Sequence, residues 1–163
     1  MVEIANSAMV RRASAEDATG PRARAASPDG DALVLLTTLA VSQWRTLAER
    51  AVEPNGYYLP DWELAVNAFA SGRTGASALI AQNDAAQDGA ARLIGLMPVV
   101  AMSRAYKIPL PALASAHPYG TLCTPLLDRD AAPAAAAQLM RAARKAGAHA
   151  LILREISLDG AAM

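Results

Sequence analysis

The sequence has little of what most recognisable chemistry is built from. It holds one cysteine, Cys123, which excludes an internal disulfide and the common Cys-rich zinc frameworks. A reducing, cytoplasmic location is the expectation. Two histidines, His117 and His149, fall in separate segments with no spaced carboxylate motif around them, so no metal centre is expected. Charge of either sign is not in excess: 15 Lys and Arg balance 15 Asp and Glu, and the electrostatic footprint of a nucleic-acid binder is missing. No apolar run approaches the roughly 20 residues that span a bilayer. Arg11-Arg12 is followed by no apolar stretch, so neither a Sec nor a twin-arginine signal is read there. No internal repeat is visible, and no membrane or nucleic-acid partner is expected.

What is present is a chain 53% hydrophobic and 18% charged over 163 residues, enough for one core and too short for two ordinary domains. Residues 1–30 are rich in Ala, Ser, Arg, Asp, Gly and Pro without apolar periodicity. They read as a disordered leader whose four arginines are offset by nearby acids. Residues 31–163 read as one domain.

Its centre is the stretch from Ser77 to Met102. Two apolar runs flank a polar Asn/Asp/Gly-bearing connector, the signal of a β-hairpin with a longer loop. The second run is apolar nearly throughout, so both faces of that strand should be covered. Pro98 cannot donate to a ladder and should mark a bulge or a strand edge. Upstream, Ala32–Thr38 suits a first strand, and Val41, Trp44, Leu47, Ala48 and Ala51 give a helix its apolar face. Pro54 and Asn55-Gly56 punctuate a turn. Pro60-Asp61-Trp62-Glu63 starts a second helix, whose buried side is expected to be Leu64, Ala65, Ala68 and Phe69. Downstream, Ile108–Ala114 reads as an irregular edge strand. His117–Asp128 reads as a polar loop, with Asp128 or Asp130 capping a helix to about Ala146 that buries Ala136, Leu139, Met140 and Ala143. Gly147 ends it, and His149–Ile156 is a final strand. The fold class is therefore α/β.

Candidate chemistry is sparse. His117 and Cys123 share one loop, but no cysteine-protease signature surrounds the thiol, and a small buried cysteine is the reading. Gly72-Arg-Thr-Gly75 leads into a strand, and Gly120 is separated from its helix by Asp128, Arg129 and Asp130, of which the two carboxylates would repel a phosphate. No nucleotide or coenzyme A cradle is evident. Trp44 and Trp62 read as core residues. Tyr57, Tyr58 and Tyr119, with polar tips in loops, point to a shared groove.

Three pieces in order carry a resemblance: Trp44-x-x-Leu47-x-x-x-Ala51-x-Glu53-Pro54-Asn55-x-Tyr57 with Pro60-x-Trp62; Leu93-Ile-Gly95-Leu-Met-Pro98; and Pro118-Tyr119-Gly-Thr-Leu-Cys-Thr124-Pro125-Leu-Leu-Asp128. From about Ala32 onward the chain resembles the amino-terminal half of the CelD-like acyltransferases, a branch of the GNAT superfamily associated with cellulose or exopolysaccharide gene sets. Cys123 stands where a glycine is expected. The resemblance implies a GNAT-like half-domain, a mixed, mostly antiparallel sheet with flanking helices. It implies N-acyl transfer from acetyl-CoA or another acyl-CoA bound by a second half, whose Arg/Gln-x-x-Gly-x-Gly/Ala loop does not occur here, so the domain is expected to be incomplete, without a cofactor of its own, and inactive alone. The resemblance offers Glu53, Asn55, Tyr57, Trp62, Tyr119 and Thr124 as an acceptor-side groove and names no catalytic residue. The partner it implies is a second GNAT half or another copy, met through exposed sheet surface. The alternative is a non-catalytic pseudo-GNAT interaction module.

Overall fold

The computed structural model describes residues 33–71, 76–83, 91–116, 120–157 and 159–160. The leader, the glycines at 72 and 75, the hairpin connector, and His117 and Tyr119 lie outside them.

The domain is mixed α/β, as expected. A short β1 (Val34–Leu35) leads through a 3-10 turn (Leu36–Thr38) to α1 (Val41–Glu49). A second 3-10 turn (Gly56–Tyr58) precedes α2 (Pro60–Phe69). The hairpin follows as β2 (Ser77–Asn83) and β3 (Arg92–Ala101), then α3 (Met102–Tyr106), β4 (Ala112–Ser115), β5 (Leu126–Leu127), α4 (Ala132–Lys145) and β6 (Ala150–Ile152). Strand order is β1-β2-β3-β4-β6, with β5 paired to β3 off that path. Every pairing is antiparallel except β4 with β6, which is parallel.

β3 is buried over most of its length because the sheet is covered on both sides. On one side Trp44 and Leu47 of α1 meet Ala78, Leu93, Leu96 and Leu126. On the other, Ala135, Leu139 and Ala143 of α4 meet Leu79, Ala81, Ile94, Met97 and Val99. The register slips between Ala81 and Gln82, where Ala81 pairs Gly95 but Gln82 pairs Leu93. That bulge turns Ile94 and Gly95 to the same face, toward α4. A Cβ on Gly95 would meet Ala81 Cβ at 3.0 Å and Ala135 Cβ at 3.2 Å, so the glycine sets how closely α4 lies on the sheet. Gly95→Val is expected to cost about 2–3 kcal/mol by overpacking, measured as a lower urea midpoint with an unchanged slope.

Several local expectations need correction. The bulge falls at Ala81/Gln82 and not at Pro98. The Pro98 carbonyl accepts from Ala116 N–H at 2.9 Å, and the missing N–H shares that side, where β3 passes between the segments paired with β4 and β5. Helix α2 is rolled from its predicted orientation: Pro60, Glu63, Val66 and Asn67 are inside, while Phe69 is 89% exposed. The roll places Asn67 Oδ1 on the Ala76 N–H at 2.9 Å, anchoring the start of β2. In α4 the buried residues are Ala135, Leu139 and Ala143, with Met140 outside. Neither Asp128 nor Asp130 caps α4; its N-cap is Ala131, with no side-chain bond. β4 is an interior strand between β3 and β6, its prolines lying just before it. Gly147 ends α4 in the left-handed region, at φ +82°, as expected.

Candidate functional site

One edge of β3 carries two partners in succession: β5 on Gly95–Leu96 and β4 on Val99–Ala101. Between β4 and β5 the chain leaves the sheet and reaches the segment that follows β6, where Cys123 N–H bonds Glu155 O at 2.8 Å. Onto this excursion folds the turn after α1, and the candidate residues meet there.

Asn55 makes the junction. It is 3% exposed. Its Oδ1 accepts from Tyr57 N–H at 3.0 Å, nucleating the 3-10 turn, and its Nδ2 donates to Leu122 O at 3.2 Å and Thr124 O at 2.8 Å. Thr124, buried as well, donates its hydroxyl to Glu53 Oε1 at 3.3 Å. Both side chains are thus consumed in joining segments some 70 residues apart, and they build the wall of the site. Tyr57 lies over Gly120, where a Cβ would meet its ring at 3.0 Å. It takes a hydrogen bond from Thr121 Oγ1 at 3.4 Å and stands edge-to-face with Trp62, ring centres 5.7 Å apart. Of the six candidates, Glu53, Asn55, Tyr57 and Thr124 converge, Trp62 joins through Tyr57, and Tyr119 lies outside the described residues. Tyr58 is core rather than groove, its hydroxyl on Ala116 O.

Two features border these residues. Glu53 Oε2 is buried and has no hydrogen-bond partner; Gly160 lies against it, leaving no space for a Cβ. Trp62 forms, with Ala65, Val66, Phe69 and Ala70, an open apolar hollow of about 330 Å³ on α2. Asn55→Ala is expected to cost about 2–3 kcal/mol, since two carbonyls and an N–H lose their partner. The amide signals of Leu122–Thr124 should shift with it while those of β2 stay in place.

A second polar cluster centres on Asp128. Asp128, 1% exposed, is held by Arg50 Nε at 3.1 Å and by the Arg92 guanidinium at 3.3 Å, and it accepts from Asp130 N–H at 3.0 Å. Burial alone would raise its pKa, but these hydrogen bonds and the two cations outweigh burial and hold it below the usual range. The backbones of Ala51 and Asp128 pair as well, so the cluster bolts the end of α1 to β5. No sequence signal links Arg50 to Asp128, because the pair is long-range.

Cys123 is buried, with Sγ 3.9 Å from Ala116 O. Burial pushes the thiol pKa up, and the charges of Glu155 and Glu63 add to it against hydrogen bonds from Tyr58 and Ser115. The protonated thiol is a poor nucleophile. It is expected to resist a disulfide reagent at pH 7 until the protein unfolds, as followed by absorbance with and without urea. Among the described residues no group of three His, Cys, Asp or Glu side chains is placed to hold a metal ion, and no helix is long and apolar enough to cross a membrane. No family model, curated protein or solved structure matches the chain.

Proposed function

We propose that the chain is the amino-terminal half of a GNAT-superfamily N-acyltransferase of the CelD-like branch, contributing an acceptor-side groove to acyl-CoA-dependent transfer linked to cellulose or exopolysaccharide synthesis. The supporting observation is the convergence of two of the resembling pieces, Glu53–Tyr57 and Leu122–Thr124, through the bonds of Asn55 and Thr124. The mostly antiparallel sheet with flanking helices agrees with the architecture that the resemblance implies.

In this reading the described residues contribute no acyl-CoA cradle of their own. The one glycine near α4 in the described loop, Gly120, is covered by the Tyr57 ring. Arg50 and Arg92, cations just ahead of α4, are already paired with Asp128 and, for Arg50, with Asp130. No catalytic step is derived from this chain, and in the proposal the thioester is held by a second lobe or by another copy across exposed sheet surface. Calorimetric titration with acetyl-CoA is expected to show no binding to this chain alone; tight, stoichiometric binding would overturn the placement. Acyl transfer to an amine is expected only when a donor-binding second lobe is supplied, followed by release of free CoA thiol. We place the protein in the cytoplasm, in keeping with its free, buried thiol.

One observation favours the alternative, a non-catalytic interaction module. Phe69 is 89% exposed and Trp62 41% exposed on one face of α2, the kind of surface that covers a partner. The two readings separate on co-expression: a complex that forms but releases no CoA thiol with any amine supports the module.

A further inference from the structure

We propose that the outer face of α2 pairs with the same face of a second copy of this chain, Phe69 of each copy seating in the hollow beside Trp62 of the other. The inference goes beyond both readings above. It gives the candidate site a neighbour from another chain, because Trp62 stands edge-to-face with Tyr57.

Its basis is a helix turned inside out. Glu63 and Asn67 of α2 are buried, while Trp62, Ala65, Ala68 and Phe69 face outward. At 3.6 residues per turn those four positions share an arc of about 120°. The one charge within that arc, Asp61, is already held by Arg45 at 2.6 Å. The roll is fixed from inside, since Asn67 Oδ1 takes the Ala76 N–H at 2.9 Å. Turning Phe69 inward would leave that donor without a partner. The apolar stripe is therefore a settled part of the fold, and water covers it poorly.

What covers it follows from its charge and its relief. A charged partner would lose its water over Trp62 and Phe69 and find no counter-charge there, so the partner is apolar where it touches. The stripe carries both a projection and a recess. Phe69 is 89% exposed, and the hollow that it borders, with Trp62, Ala65, Val66 and Ala70, holds about 330 Å³. Roughly 150 Å³ is enough for a benzene ring. Trp62 and Phe69 are seven residues apart, about 10 Å along the axis, and Ala65 lies near their midpoint. A two-fold axis through that midpoint, relating antiparallel helices, sets each Phe69 level with the other copy's Trp62. It also brings the two Ala65 side chains together, where small groups permit close approach. One patch that holds both halves of its own fit is what an isologous contact needs. The two aromatics bring on the order of 250 Å² per copy, well short of the roughly 800 Å² per partner of a stable complex. The pairing is accordingly weak and depends on concentration.

The test is sedimentation equilibrium of the full chain from about 10 µM to 1 mM, where so small an interface dissociates. The average mass is expected to climb from 16.9 kDa toward twice that value. Tryptophan emission should move to shorter wavelength with it. Trp44 is already fully buried, so the change reports on Trp62. Phe69→Ala, at an exposed position, should weaken association at least about tenfold with the urea midpoint unmoved. Leu110→Ala, which trims an apolar residue 55% exposed just before β4, should leave it unchanged. Ala65→Cys, oxidised with copper phenanthroline, should give a disulfide-linked dimer, because the native thiol is buried. A monomer at every concentration, growth past the dimer, or equal weakening by Leu110→Ala and Phe69→Ala would overturn the second copy as occupant. Dimers in which Ala65→Cys fails to cross-link would overturn the two-fold arrangement, and this arm decides even if Phe69→Ala does not fold. Neither amine nor thioester enters the experiment. A monomeric result therefore leaves the groove reading intact, and a dimer that transfers no acyl group leaves the pairing intact.

Discussion

Trp44→Ala is expected to lower the stability of this protein by about 3–5 kcal/mol, the range for truncating a large buried aromatic. The indole is fully buried between α1 and the sheet, among Leu47, Tyr58, Ala78, Leu93, Leu96 and Leu126. The second part of the loss is polar. Nε1–H donates to Tyr58 O at 2.8 Å, and removing the donor leaves a buried carbonyl without a partner. Trp44→Phe keeps most of the apolar volume and gives up that bond, so it should cost about 1–2 kcal/mol. The ratio of the two losses, from urea unfolding, separates packing from hydrogen bonding. A loss under about 1 kcal/mol for the alanine variant would mean that the cavity collapses without strain, against the packing described. The effect should reach the candidate site, because the Tyr58 carbonyl belongs to the turn that Asn55 begins. Shifted amides at Tyr57 and Thr124 in Trp44→Phe are the corresponding signature.

The other large effect is expected at Asp128. Removing one partner of a buried ion pair commonly costs about 3–5 kcal/mol. Arg50 and Arg92 are themselves 36% and 43% exposed and regain water when the carboxylate is gone, so about 3 kcal/mol is expected for Asp128→Ala. Asp128→Asn keeps an acceptor for Asp130 N–H and loses only the charge, and it should fall between the two. The pH dependence has a definite sign. The folded pKa of Asp128 is depressed, so the unfolded state binds the proton more readily. Its contribution is therefore complete above the ordinary aspartate value of about 4 and disappears as pH falls through the lower folded value. Wild type minus Asp128→Asn, measured by urea unfolding between pH 3 and 7 (about the range where aspartates titrate), should be flat above about pH 5 and shrink below about pH 4. A difference independent of pH would show that the pair carries no charge-dependent stability.

The Asn55 junction and the Asp128 cluster differ in how much of each is local in sequence. Asn55 is a common turn starter beside a glycine, and its side chain does begin a turn. The residues that it reaches, Leu122 and Thr124, are 67 and 69 positions away, and only the ordered family-like pieces hinted at the meeting. Asp128 was expected to cap α4 because acids before helices usually do. Instead two arginines from α1's end and β3 claim it, a stronger interaction than a cap offers. The roll of α2 has the same character. Phe69 is the more hydrophobic residue, yet Asn67 points inward because the backbone N–H of Ala76 has to be satisfied.

Period and punctuation, which are local, are readable from the chain itself: the β2–β3 hairpin, the presence of α1 though not its end at Glu49, the spans of α2 and α4, the glycine at the end of α4, and a buried thiol. These depend on spacing and on single-residue geometry, which neighbours seldom override. Decided only in three dimensions are the bulge that turns Gly95 toward α4, the faces turned inward, the Arg50–Asp128–Arg92 cluster, and the bare carboxylate oxygen of Glu53 beside Gly160. The physical reason is that a buried polar group takes whichever partner the packing brings within about 3 Å, and that partner lies anywhere along the sequence.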